Sequence, residues 1–269
     1  MKTIIVPIDF SDASANALSF AAELCNRAAA RIIIVNIIQN EEDEETAKNK
    51  LTTTESDLKN SFGAGLNCES LIAHGDLITS LKKLIAVQQP DLIVMGTKGA
   101  TGLKRILIGS NTVKVIANIN VPVFVIPEVA RFEDFSRKGK NRIVLATDLE
   151  FFENEAALAV LKEIALLIIE PKIRVLNVRP EDTGLPDVKR SERNFLLSFF
   201  NPEIETERMT IFSDDVMDGI NYYLNEKARD SGMVAMIARD SGGLFQKHHT
   251  RVMASYTHLP LLVLRETEV

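Results

Sequence analysis

The sequence predicts an α/β chain of two repeated, doubly wound domains, each a five-stranded parallel sheet flanked by helices. Three observations carry that prediction. First, short segments recur in the same order at a nearly constant offset. Ile4–Asp9 is echoed by Ile143–Asp148, Ile34–Ile37 by Val175–Val178, Gly75–Ile78 by Asp214–Met217, and Val121–Ile126 by Leu259–Leu264. Second, the apolar runs are uninterrupted, as in Ile32-Ile33-Ile34-Val35, the pattern of strands covered on both faces. Third, between these runs the apolar residues fall three and four apart, the spacing of amphipathic helices.

In the first copy the strands are expected near 3–8, 31–38, 67–73, 91–95 and 121–126. The first helix presents Ala17, Phe20, Ala21, Leu24, Cys25 and Ala28 as one stripe, and the third presents Leu77, Ile78, Leu81, Leu84 and Ile85. In the second copy the strands are expected near 142–147, 172–178, 204–212, 233–238 and 260–264. Strands alternating with helices through short connections imply right-handed βαβ units. The domains are expected at 1–127 and 142–269. Residues 128–141 between them, rich in charge from Arg131 to Lys140, read as a solvated linker. The acidic run Glu41–Glu45 reads as a solvated face ahead of the second helix.

Composition excludes several classes. The chain of 269 residues is 46% hydrophobic and 25% charged, enough to bury a core without metal or disulfide. No apolar run approaches the roughly 20 residues that span a bilayer, so no membrane partner is expected. Met1–Pro7 has one positive charge and too short an apolar core for a secretory signal, and Cys25 and Cys68 form no CxxC pair. A cytoplasmic location is expected. The net charge of −6 and the 6% aromatic content argue against nucleic acid as a partner.

The stretch Gly96–Asn111 carries the chemistry. It follows a buried strand and leads into a helix for which Ser110 is the expected N-cap, with Val113, Ile116 and Ala117 as the apolar side. Glycines let a backbone approach an anion closely, and a helix start adds its dipole; Lys98, Lys104 and Arg105 add charge. The spacing is neither a Walker A loop nor GxGxxG.

Read as G-x2-G-x9-G-S, the pattern is filled by Gly96, Gly99, Gly109 and Ser110. Together with Pro7-Ile8-Asp9 ending the first strand and Val121-Pro122-Val123 opening the last, it resembles the universal stress protein (UspA-like) family. The resemblance covers residues 1–127 and extends in weaker form to 142–265, so the chain resembles a tandem member. It implies the strand order 3-2-1-4-5 and a stress-response, regulatory role. It also implies ATP between the ends of the first and fourth strands, where open α/β sheets bind ligands in general. Carried over, Gly99, Gly109, Ser110 and Asn111 would hold the phosphates, with Mg²⁺ bridging their oxygens. Gly96 and Thr97 would shape the loop, Asp9 would lie by the ribose, and Pro7 and Val35 would face the adenine. The family's habit of dimerising through its last strand implies pairing of the two copies within the chain, and a homodimer.

The second copy departs from the pattern. Aligned on its strand, Gly96 becomes Ala238 and Gly99 becomes Ser241; aligned on the Pro260 strand, Gly109 and Ser110 become Lys247 and His248. Asp240 would set a carboxylate where phosphates need donors, so nucleotide is expected in the first copy only. Asp9 reads equally as a helix cap, and His74 as a surface residue. The adjacent His248 and His249, with His258, make no zinc set. No GxSxG elbow or acyl-transfer triad is present, so catalysis is expected to be absent or limited to slow ATP hydrolysis. The alternative is an interaction or small-molecule module of the same fold that binds no nucleotide.

Overall fold

The computed structural model describes residues 1–97, 109–136, 139–181, 184–239 and 259–266. Lys98, Gly99, Lys104, Arg105 and the stretch from Asp240 to Thr250 lie outside the described residues, as does His258. In chain order the first half contains β1 (Thr3–Ile8), α1 (Asp12–Ala28), β2 (Arg31–Ile38), α2 (Glu44–Phe62) and β3 (Cys68–His74). It continues with α3 (Leu77–Gln88), β4 (Leu92–Thr97), α4 (Ser110–Asn118) and β5 (Val123–Pro127). A short α5 (Phe132–Ser136) leads to β6 (Arg142–Ala146), α6 (Glu155–Leu166), β7 (Lys172–Arg179) and α7 (Asp187–Phe200). The remainder is β8 (Glu205–Phe212), α8 (Val216–Tyr222), β9 (Ser231–Ala238) and β10 (Leu261–Arg265).

The ten strands form one sheet in the order β3-β2-β1-β4-β5-β10-β9-β6-β7-β8. Each half is therefore parallel in the order 3-2-1-4-5. The halves meet where β10 runs antiparallel to β5, with Leu262 opposite Phe124. Alternate strand residues feed two cores, which is why the apolar runs have no polar interruptions. Ile4, Val6, Ile32, Ile34 and Val94 pack under α1 and α2, whereas Ile5, Ile33, Val35 and Ile93 pack under α3 and α4. Helices α5, α6 and α7 lie over the first face and α8 over the second.

Local devices recur in both halves. The side chain of Asn36 donates to the Ile8 carbonyl at 2.8 Å, and that of Asn177 to Thr147 at 3.1 Å, closing the ends of β1 and β6. Phe10 and Leu149, next after Asp9 and Asp148, both have positive φ (61° and 60°), a conformation costly for side-chain-bearing residues. Asp76 and Asp215 cap α3 and α8 through backbone amides.

The segment 128–141 is charged outside and aromatic within. Arg131, Glu133 and Asp134 are exposed, but Phe132 and Phe135 are buried against Phe20 at ring distances of 4.9 and 5.3 Å. It is therefore packed across the seam rather than solvated throughout. Its carbonyl at Lys140 approaches β9 so closely that a Cβ at Gly232 would stand 2.1 Å away.

Candidate functional site

The strand order reverses beside β1, whose neighbours β2 and β4 carry connections to opposite faces. At this switch point the chain cannot cover the strand ends, and a cleft of about 450 Å³ opens. Pro7, Asp9, Val35, Gly96, Thr97, Gly109, Ser110 and Asn111 all line it, joined by Asp76, Thr112 and Lys114. Of the residues assigned from the sequence, only Gly99 lies outside the described residues. A larger cavity of about 730 Å³ opens between α1 and α2, lined by Phe10, Leu18, Leu58 and Phe62 among others. It lies away from the α4 start, and the chemistry described below belongs to the smaller cleft.

Each wall of the cleft has a local cause. A Cβ at Gly96 would stand 2.1 Å from the Ala13 carbonyl oxygen, so glycine is what lets α1 lie directly on β4. Asp9 accepts from the Ser11 amide at 3.0 Å and from its hydroxyl at 2.5 Å. The cap of α1 is Ser11, whose hydroxyl accepts from the Ser14 amide at 3.3 Å; Asp9 only orients it. Burial would raise the Asp9 carboxyl, but the Ser11 hydrogen bonds outweigh it and hold the group below its usual range. Asp9 is thus an anion at neutral pH, exposed at the cleft and able to accept hydrogen bonds.

The start of α4 corrects the sequence reading. Gly109, not Ser110, is the N-cap, and Ser110 is the first helical residue. The buried side is Thr112, Val115 and Ile116, with Val113 and Ala117 only partly covered. Helices α1, α3, α6 and α8 have a side-chain acceptor at their N-termini. Gly109 offers none, and among the described residues no side chain accepts from the Ser110, Asn111 or Thr112 amides. These amides belong to the first turn, which has no intrahelical acceptors, and they carry the positive end of the helix dipole. Gly109 itself has φ −58° and open space where a Cβ would be. Among the described residues nothing demands glycine there.

In the second half the corresponding strand ends are filled. Strand pairing sets Ile4 beside Leu92 and Ile143 beside Met233, so Ile237 stands in the place of Gly96. The alignment read from the sequence, with Ala238 in that place, is one residue out. The isoleucine side chain bars the close approach that Gly96 permits, and α6 packs on β10. Arg239, only 7% exposed, then crosses the gap. Its terminal nitrogens donate to the Phe151 and Glu150 carbonyls and to Glu266 at 2.6–2.7 Å, and its Nε lies 3.6 Å from Asp148. Asp148, the counterpart of Asp9, is 2% exposed. Glu192 on α7, 4% exposed, is pushed up to about 7 by burial, against the opposing pull of Arg239. The sequence places Asp148 and Arg239 at this pocket and leaves open whether side chains or a ligand fill it; no sequence signal gave the partners of Arg239 or marked Glu192, because those partners are remote along the chain.

Both thiols are buried, and burial pushes Cys25 up to about 12 and Cys68 to about 11, which leaves them unreactive at neutral pH. Among the described residues no helix is long and apolar enough to cross a membrane.

Residues 1–127 match the model of the Universal stress protein family. The chain is 29% identical over 152 residues to Universal stress protein MJ0577 of Methanocaldococcus jannaschii, covering 46% of this chain and 94% of that protein. It is 28% identical over 145 residues to Universal stress protein MJ0531 of the same organism, covering 46% and 81%. Across both halves, a universal stress protein from Archaeoglobus fulgidus DSM 4304 shares the fold with a TM-score of 0.76 at 18% identity, covering 98% of each chain. A putative universal stress protein from Pseudomonas aeruginosa UCBPP-PA14 gives 0.65 at 13%, covering 99% of this chain and 94% of that one. The similarity to the universal stress protein family thus falls on the half that carries the open cleft.

Proposed function

We propose that the protein is an ATP-binding regulator of the stress response, with nucleotide held by the first half alone. The observation that carries this reading is the bare start of α4. Three first-turn amides line an open cleft, at a glycine that nothing among the described residues requires, opposite an ionised Asp9.

The residues present fit the ligand. Amides of Ser110 and Asn111, with the Ser110 hydroxyl, would take the phosphate oxygens, each charge-assisted bond contributing about 1.5–3 kcal/mol. The absence of a side chain at Gly109 would let phosphate approach the backbone, and Gly99 would add another amide. Asp9 would accept from the ribose hydroxyls. Pro7 and Val35 would give the adenine an apolar surface, with Gly96 and Thr97 shaping the loop beneath. Mg²⁺ would be held by the phosphate oxygens and would offset their charge. In the second half Arg239 stands in for a ligand, so that half would serve as a scaffold. The joined β5 and β10 would place the two halves of one chain as two subunits of a dimer are placed, and two chains would associate further in the cytoplasm.

The test is to denature the purified protein and chromatograph the supernatant. Adenine nucleotide released from the native sequence and lost in Gly109→Asp supports the reading. Release that survives Gly109→Asp contradicts it, and no release together with no uptake of added MgATP favours the interaction-module alternative.

A further inference from the structure

The second half carries a cluster of arginines whose charge is not fully met within the fold. Arg142 and Arg174 give terminal nitrogens to carboxylates, as Arg239 does. Arg190 pairs with Asp187 at 3.0 Å, and Arg179 donates to the Gly184 carbonyl while lying over the Phe212 ring. Arg193 on α7 differs at its terminal nitrogens. Its Nε is buried without a hydrogen-bond partner, as are those of Arg142, Arg174 and Arg239. Among the described residues no carboxylate or carbonyl meets its terminal nitrogens either, and the same holds for Arg208 on β8.

Geometry brings these side chains to one face. Arg208 lies opposite Val175 and Phe212 opposite Arg179 in the β7–β8 ladder. The Thr206 hydroxyl donates to the Leu197 carbonyl at 3.3 Å, which identifies the face of β8 that α7 covers; Arg208 and Phe212 fall on it by alternation. Glu192, the acid nearest in sequence, is turned toward Arg239 and the Phe152 backbone, while Glu207 serves Arg142 and Arg174 on the opposite face. Burial, then the positive charges of Arg208, Arg190 and Arg179, hold the Arg193 guanidinium below its usual value. In a chain of net charge −6, this is a local reversal of sign.

We propose that the α7–β8 face of the second half binds a small phosphate-bearing anion, with Arg193 and Arg208 as its charge partners. Guanidinium forks match phosphate oxygens two at a time, and an anion would supply the acceptors that the fold withholds from Arg193. Two cations unmatched among the described residues call for a ligand of at least two negative charges. Arg208 is exposed on the edge strand, so the site is open to solvent.

The proposal is independent of the first-half cleft, and its test is made in the Gly109→Asp background so that the cleft does not respond. Inorganic tripolyphosphate is titrated by calorimetry at matched ionic strength, without Mg²⁺, into that protein and into versions carrying Arg208→Gln or Arg193→Gln with Arg208→Gln. One equivalent is expected to bind, about tenfold more weakly after Arg208→Gln and undetectably in the double variant. Arg208→Gln alters an exposed side chain, and an unchanged circular dichroism spectrum confirms its fold, so the test stands even if the double variant fails to fold. Equal affinity in the parent and Arg208→Gln, or no heat at millimolar tripolyphosphate, overturns the proposal. Failure of nucleotide binding in the native sequence would leave this titration unaffected.

Discussion

The two halves share a strand order and even the positive-φ residue after the first strand, yet one strand-end cleft is open and the other is closed by Arg239. The difference begins at a single β-strand position. Gly96 lets α1 settle on β4, which leaves the space beyond the strand ends free. Ile237 keeps α6 off β9, and Arg239 bridges that space to Glu266 and the Glu150 and Phe151 carbonyls. A fold can therefore be kept while an open strand-end cleft is exchanged for an internal ion pair. Among the described residues the open half has its helix dipole unanswered, and the closed half has the charges at its strand ends answered within the chain.

The largest expected effect breaks the open half. Gly109→Asp with Ser110→Asp sets carboxylates against the phosphates, a like-charge cost of several kcal/mol, and should weaken MgATP binding at least about a hundredfold. Equilibrium dialysis would read it, with thermal stability little changed because both positions are exposed.

Breaking the closed half comes next. Arg239→Met leaves Asp148 buried without its cation and should cost about 3–5 kcal/mol in urea unfolding. A loss below about 1 kcal/mol would mean that Arg239 is held loosely and the half is not closed by it.

Smaller again is Gly96→Ala. The added methyl would collide with the Ala13 carbonyl, and the shift of α1 should cost about 1–3 kcal/mol. Weaker nucleotide binding should accompany it, which Gly232→Ala, far from the cleft, should not reproduce.

The subtlest comparison is in pH. Glu192 ionises at about 7 when folded against an ordinary 4.5. As pH rises through this window the unfolded state loses its proton first, so stability falls between about pH 4.5 and 7. Glu192→Gln should flatten that part of the unfolding midpoint against pH. An unchanged slope would place the titrating group elsewhere.

Much of this architecture can be read in the sequence because parallel strands are covered on both faces. Ile32–Val35 and Leu92–Met95 had to be continuous apolar runs, and their order with the helices left few topologies. The cleft lining was equally readable, since Gly96, Gly109 and Ser110 flank elements that the periodicity delimits. What escaped had long-range or compensating causes. Phe132 and Phe135 were outvoted by neighbouring charges, although burial is decided by which side chain faces the seam. The helix start moved to Gly109 because a glycine at that place leaves no side-chain signal for a cap. Arg239 takes its partners from Glu150, Phe151 and Glu266, which no local pattern links. The alignment of Gly96 slipped by one because the second half is longer before β9, and only strand pairing fixes the register.

The central claim is an asymmetry, and the stoichiometry of MgATP binding measures it most directly. Isothermal titration of nucleotide-free protein should give one site per chain, absent after Gly109→Asp with Ser110→Asp and unchanged by Arg239→Lys. Two equivalent sites per chain, or one that survives the double aspartate change, would contradict the account.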